Sequence, residues 1–204
     1  WSLDKQVKEI WMKTWYTSDL HFCHRNIVQY TKRSEVVTQE DHDEWLIDLW
    51  NSQVKPGDTV WHMGDFAFNK RKVEQFTAIT DRLNGNKKFI RGNHDDKDVL
   101  KKSGFEWYDL KGGSITIGEK IREHVVMCHY PMAIWDKQHH GSFMLHGHSH
   151  GSYNPANGKI LDVGLDSAYN ILGEHRFFTD EDILNYMATR DVQILDHHND
   201  RTKQ

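Results

Sequence analysis

Residues 142–150, Ser142-Phe143-Met144-Leu145-His146-Gly147-His148-Ser149-His150, carry a short apolar run straight into two histidines two positions apart. The run has the length and character of a buried strand, and Gly147 breaks it. On an extended segment residues i and i+2 project to the same side, so His148 and His150 point together, as a shared metal site requires.

The same figure, an apolar run ending in Asp, Asn or His, recurs upstream. Trp15-Tyr16-Thr17 stops at Ser18-Asp19, with His21 two residues on. Residues 59–63 close on Gly64-Asp65, Lys88-Phe89-Ile90 on Gly92-Asn93-His94, and 121–127 on Cys128-His129-Tyr130-Pro131. Helical patterns separate the first three. Thr38 with Asp41 three residues later resembles a capping signal, and Trp45, Leu46, Leu49 and Trp50 follow at helical spacing, which predicts a helix over Gln39–Gln53. Val73, Phe76, Ile79 and Leu83 predict another that reaches Asn84-Gly85, and a short one spans 96–102. Strand patterns dominate afterwards: 114–117 and 121–127 flank Gly118-Glu119 as a hairpin, and 159–163 adds another strand. Residues 180–188 read as a last helix capped by Thr179. This order predicts an α/β layered fold, with strands parallel early and antiparallel late. In open α/β sheets the ligand crevice lies at the carboxyl ends of the strands, so five such endings would meet in one place.

Composition bounds the function. A chain of 204 residues suggests one domain, expected at 12–190, with 1–11 an upstream extension and 191–204 a fraying polar tail. The 26 Lys and Arg against 30 Asp and Glu leave a net charge of −4, with no basic excess for wrapping duplex nucleic acid. The 8 Trp and 12% aromatic residues exclude a disordered chain. Two cysteines make neither a disulfide framework nor a four-cysteine zinc site, and no apolar run is long enough to span a membrane. Without an apolar leader, the cytoplasm is the expected compartment. Of the 15 histidines, His42, His124, His139, His140, His175, His197 and His198 lie in polar surroundings and read as solvated. The others sit near the strand endings.

Imidazole, carboxylate and amide oxygen without thiolate form a ligand set for divalent Mn, Fe, Zn, Co or Ni, rather than for calcium or copper(I). One ion cannot use every group at the five endings. Two ions sharing a carboxylate can, and such a pair suits in-line displacement at phosphorus. Taken alone, Asp19-x-His21 or Gly64-Asp65 is an ordinary loop or turn. Their occurrence in order, each after an apolar run, is what makes a site.

Asp19-x-His21, Gly64-Asp65, Gly92-Asn93-His94, His129 and Gly147-His148-x-His150 together resemble the five signature blocks of the calcineurin-like metallophosphoesterase superfamily, over roughly residues 14–166. The stretches 18–27 and 61–67 look closest to small phosphoesterases of bacteria and phages. The resemblance implies a sandwich of two β-sheets flanked by helices (αββα). It further implies one metal on Asp19, His21 and His150, another on Asn93, His129 and His148, and Asp65 bridging them, with a bridging hydroxide as nucleophile. His94 would be the general acid and Asp95 its orienting partner, while His24 and Arg25 would reach the phosphate. His62 reads as a hydrogen-bonded core histidine, and His146 as a supporting residue behind the metal ligands.

Departures narrow the role. Gly64-Asp65 continues as Phe66-Ala67-Phe68-Asn69 rather than the Asp-Arg-Gly of serine/threonine phosphatases, and Phe68 stands where purple acid phosphatases carry a metal-binding tyrosine. Cys23 falls where a glycine is expected. The expectation is therefore a hydrolase of small phosphoesters, nucleotides among them, with diesters favoured over monoesters and manganese the favoured metal. The rival is a non-catalytic metal- or phosphate-binding module on the same fold.

Overall fold

The computed structural model describes residues 12–31, 33, 38–68, 72–117, 121–153 and 155–195. In chain order these form β1 (Thr14–Thr17), α1 (Ile27–Tyr30), α2 (Gln39–Gln53), β2 (Thr59–His62), α3 (Val73–Thr80), β3 (Asn86–Ile90), α4 (Lys97–Ser103) and β4 (Glu106–Tyr108). There follow β5 (Leu110–Ile117), β6 (Ile121–Cys128), β7 (Phe143–His146), β8 (Ile160–Asp162), α5 (Leu165–Leu172), β9 (Phe178–Thr179) and α6 (Asp180–Ala188).

The strands make two sheets, ordered β4-β3-β2-β1-β9 and β5-β6-β7-β8. Successive side chains along a strand face opposite ways, and this alternation builds the layers. Trp15, Val60 and Phe89 join Leu46, Trp50 and Phe76 of α2 and α3 in one core. Their neighbours Tyr16, Trp61 and Ile90 face Met127, Leu145 and Leu161 of the second sheet in another. Val126, Met144 and Ile160 pack outward with Trp135 in a third. The result is the expected two-sheet sandwich with helices.

Helix α2 has the predicted bounds, and Thr38 Oγ1 accepts from the Asp41 amide at 3.1 Å. Helix α6 starts at a complete capping box, Thr179 with Asp182. Helix α3 stops at Thr80, short of the expected end, because the following residues tighten into turns and serve α2 instead: the indole of Trp50 donates to Asn84 O at 2.9 Å, and the Asn84 side chain donates to Val54 O at 3.1 Å. The late strands are also not uniformly antiparallel. β5 pairs antiparallel with β6, but β6, β7 and β8 run parallel. That places the ends of β6 and β7, like those of β1, β2 and β3, at one rim.

The hairpin's turn at 118–120, the segment 1–11 and the tail from 196 lie outside the described residues, while 191–195 carries neither helix nor strand. Among the described residues no helix is long and apolar enough to cross a membrane.

Candidate metal centre

Backbone bonds stitch the strand endings together. The Asp19 amide donates to Gly64 O, the His21 amide to Asp65 O and the Gly147 amide to His129 O, each at 3.0 Å. At this rim Asp19, His21, Asp65, His148 and His150 all adopt left-handed backbone, with φ of 56°, 56°, 56°, 68° and 47°. Such conformations cost non-glycine residues of order 1–3 kcal/mol each and persist only where the surroundings impose them. The loops also approach too closely for side chains: a Cβ on Gly92 would collide with Asp65, and one on Gly147 with Ser18 and Asp19.

Two groups of donors result, Asp19 with His21 and His150, and Asp65 with His129 and His148, each with ligand atoms within 4.8 Å of one another. In the first, His21 Nε2 lies 3.3 Å from His150 Nε2, and Asp19 Oδ1 lies 3.9 and 3.8 Å from those two nitrogens. In the second, His129 Nε2 lies 3.0 Å from Asn93 Oδ1 and 3.4 Å from Asp65 Oδ2. Asp65 Oδ2 is also 3.8 Å from His21 Nε2, so this one oxygen faces both groups.

The donors fit divalent cations. Asp19 Oδ1 is buried without a hydrogen-bond partner, a cost that a cation would relieve. His129 Nδ1 donates to Met63 O at 2.8 Å, and His150 Nδ1 to Asp166 Oδ2 at 2.7 Å, which leaves each Nε2 lone pair facing the other donors. Burial pushes Asp19 up to about 7, His150 and His129 opposing, and lowers His21 to about 2. His129 is raised to about 9: burial opposes this, but the Asp65 hydrogen bond and the nearby carboxylates prevail. Asp65 is held below the usual carboxylate range, because the hydrogen bond and charge of His129 outweigh its burial. A site that draws protons to His129 is one where a cation would displace them.

The remaining candidates divide. The His94 amide donates to Asp65 Oδ1 at 2.8 Å, and its ring Nε2 lies 4.0 Å from Asp65 Oδ2 at the mouth of the site. The His24 ring stands 5.3 Å from that of His21 and 6.0 Å from that of His94, and Phe68 packs against both His24 and His94 at 5.0 and 5.5 Å. Asp95 does not take the expected role of orienting His94: its oxygens accept from the amides of Gly92, Asp65 and Phe66 at 2.8–2.9 Å, which ties the β2 and β3 endings together. Arg25 is exposed and lines a cleft with Val28, Gln39 and Glu40, none of the donors being among that cleft's described lining. His62 is buried and accepts from the Gly64 amide at 3.2 Å, and His146 is buried with its Nδ1 on Gly147 O at 2.8 Å. His42, expected in solvent, is fully buried beside Arg33 at 3.2 Å.

Arg33 and Asp166 escaped the sequence reading. Arg33 is buried, grips Asp166 through two hydrogen bonds of 3.1 and 2.9 Å, and donates to the backbone oxygens of Asp19 and Leu20. Asp166 in turn holds His150. The chain Arg33, Asp166, His150 thus sets a donor's orientation from behind. Arg33 and Asp166 are 133 residues apart, and no pattern of neighbouring residues links them.

A two-sheet sandwich that presents paired Asp/His donor groups at its strand ends defines a metal-dependent class of α/β protein. The model of the calcineurin-like phosphoesterases matches residues 12–202, and the chain belongs to that family. It is 26% identical to the gene 66 protein of Mycobacterium phage L5 over 85% of this chain and 95% of that one. A Methanocaldococcus jannaschii protein is 28% identical over 69% of this chain and 71% of that one. The crystal structure of an Aquifex aeolicus protein superimposes with a TM-score of 0.61 at 21% identity, covering 86% of this chain and 99% of that one, and so shares the fold.

Proposed function

We propose that this calcineurin-like phosphoesterase hydrolyses small phosphoesters, diesters ahead of monoesters, with two divalent cations. Asp19, His21 and His150 would hold one, Asn93, His129 and His148 the other, and Asp65 both. The observation that carries the reading is Asp65 Oδ2, which faces His21 Nε2 at 3.8 Å and His129 Nε2 at 3.4 Å. When bound, the cation pair would lower the pKa of water, which makes it a nucleophile at neutral pH, and would set positive charge against the phosphoryl oxygens.

The chain's own groups do the rest. Asp65 anchors the His94 backbone, which keeps the partly exposed imidazole at the mouth of the site, where it hands a proton to the departing oxygen. His24 adds a second imidazole beside it for the phosphoryl oxygens. Mn²⁺ suits imidazole, carboxylate and amide donors without thiolate. The preference for diesters follows the small members of the family. Cys23 and Cys128 are both free, which suits the reducing cytoplasm as working compartment.

The test uses chelator-stripped protein with Mn²⁺ added back, assayed on bis(p-nitrophenyl) phosphate, p-nitrophenyl phosphate and cyclic nucleotides. Metal-dependent turnover, faster on diesters, is expected. Absence of turnover on all of them overturns the reading, and faster monoester hydrolysis overturns the preference.

A further inference from the structure

Beside His150 a cleft of about 300 Å³ opens in the surface between α1 and α5, within the range of small-ligand sites. Its walls include Gln29, Tyr30, Tyr169, Asn170 and His175 as well as His150 itself. We propose that this cleft receives the base of a nucleotide whose phosphate lies on the donor groups, an inference that rests on the phosphoesterase reading.

Position is the first argument. The His150 side chain is 30% exposed and forms a wall of the cleft while its Nε2 faces Asp19 and His21, so the cleft and the donor groups share a boundary residue. Asp166, which holds His150 through Nδ1, lines the cleft too, so the cleft meets the donor groups along the His150 ring.

The lining supplies the chemistry. Tyr169 stacks on His175 with ring centres 4.6 Å apart and planes 25° from parallel, and Trp45 meets His175 edge-on at 5.5 Å. This ring column is held by the fold before any ligand arrives, and Tyr169 is still 39% exposed. Tyr30 is 74% exposed on the same cleft, leaving most of a large ring in water. Rings fixed in this way present flat, polarisable faces to another flat ring, and stacking accepts any base. The side-chain amides of Gln29 and Asn170 each offer both a donor and an acceptor, the complement of a base edge. Among the described residues no lysine or arginine lines the cleft.

Calorimetry on the Mn²⁺-loaded full chain tests this with adenosine 5′-monophosphate (AMP) against ribose 5-phosphate, which has the same phosphate and sugar but no base. AMP should bind about tenfold or more tightly. Tyr169→Ala should bring the two affinities together. Tyr30→Ala, which removes a mostly exposed ring and leaves the core untouched, should narrow the gap as well. Equal affinities in the unaltered protein, or a base preference that survives both substitutions, overturn the subsite. Hydrolysis of bis(p-nitrophenyl) phosphate by the same preparation separates the two claims. Turnover without base preference overturns the subsite alone, and base preference without turnover upholds the subsite while overturning the hydrolytic reading.

Discussion

Asp65 and His94 are joined by one hydrogen bond yet should respond differently to substitution. Asp65→Asn is expected to abolish metal-dependent turnover and to lower the content of both metals, measured by elemental analysis, because its Oδ2 faces both donor groups. His94→Ala should retain both metals while turnover drops by about 10² to 10⁴, the usual worth of a general acid. Loss of a metal from that variant would make His94 a ligand. Asp166→Asn should weaken one metal by about 10- to 100-fold and leave the other in place, since His150 is the candidate ligand bonded to it; equal weakening of both would place its role elsewhere. The donors themselves were legible because each closes an apolar run. The place of Asp95 was not, because a side chain's direction is set by what surrounds it: backbone amides capture the Asp95 carboxylate.

Helices α2 and α6 were readable to their first residue, since capping is local chemistry within four residues. Helix α5 was not foreseen; it starts after Gly164 with no side-chain cap, and its first residues are buried by the rest of the fold. The cap of α6 makes a pH-dependent prediction away from the metal centre. Burial would raise the Asp182 carboxyl, but bonds from Arg176 and Thr179 outweigh it and hold it at about 2. A carboxyl lowered by folding stabilises the fold above its unfolded pKa of about 3.9 and loses that contribution as pH falls from about 4 to about 2. With Arg176 partly in water, Asp182→Asn should cost about 1 kcal/mol at neutral pH, read from urea unfolding. The gap to the unaltered protein should narrow below about pH 4 and close near pH 2; a gap independent of pH would show that charge is not what the cap supplies.

For the whole molecule, donors drawn from five strand endings of both sheets mean that cations would tie the two layers together. Chelation is therefore expected to lower the melting temperature, and Mn²⁺ at about a hundredfold over its Kd to raise it again by about 5–10 °C. No shift on either treatment would mean that the donors hold no ion in the folded chain. By itself the sequence determined the candidate donors, their order and the layered α/β class, because strand periodicity, glycine breaks and helix caps are written within a few neighbouring residues. The tertiary structure alone decided that β6, β7 and β8 run parallel, that His21 meets His150 and Asn93 meets His129, that Asp65 faces both groups, and that Arg33 braces one of them. Those pairings join residues tens to more than a hundred positions apart, and such contacts are fixed by sheet register and burial rather than by any local pattern.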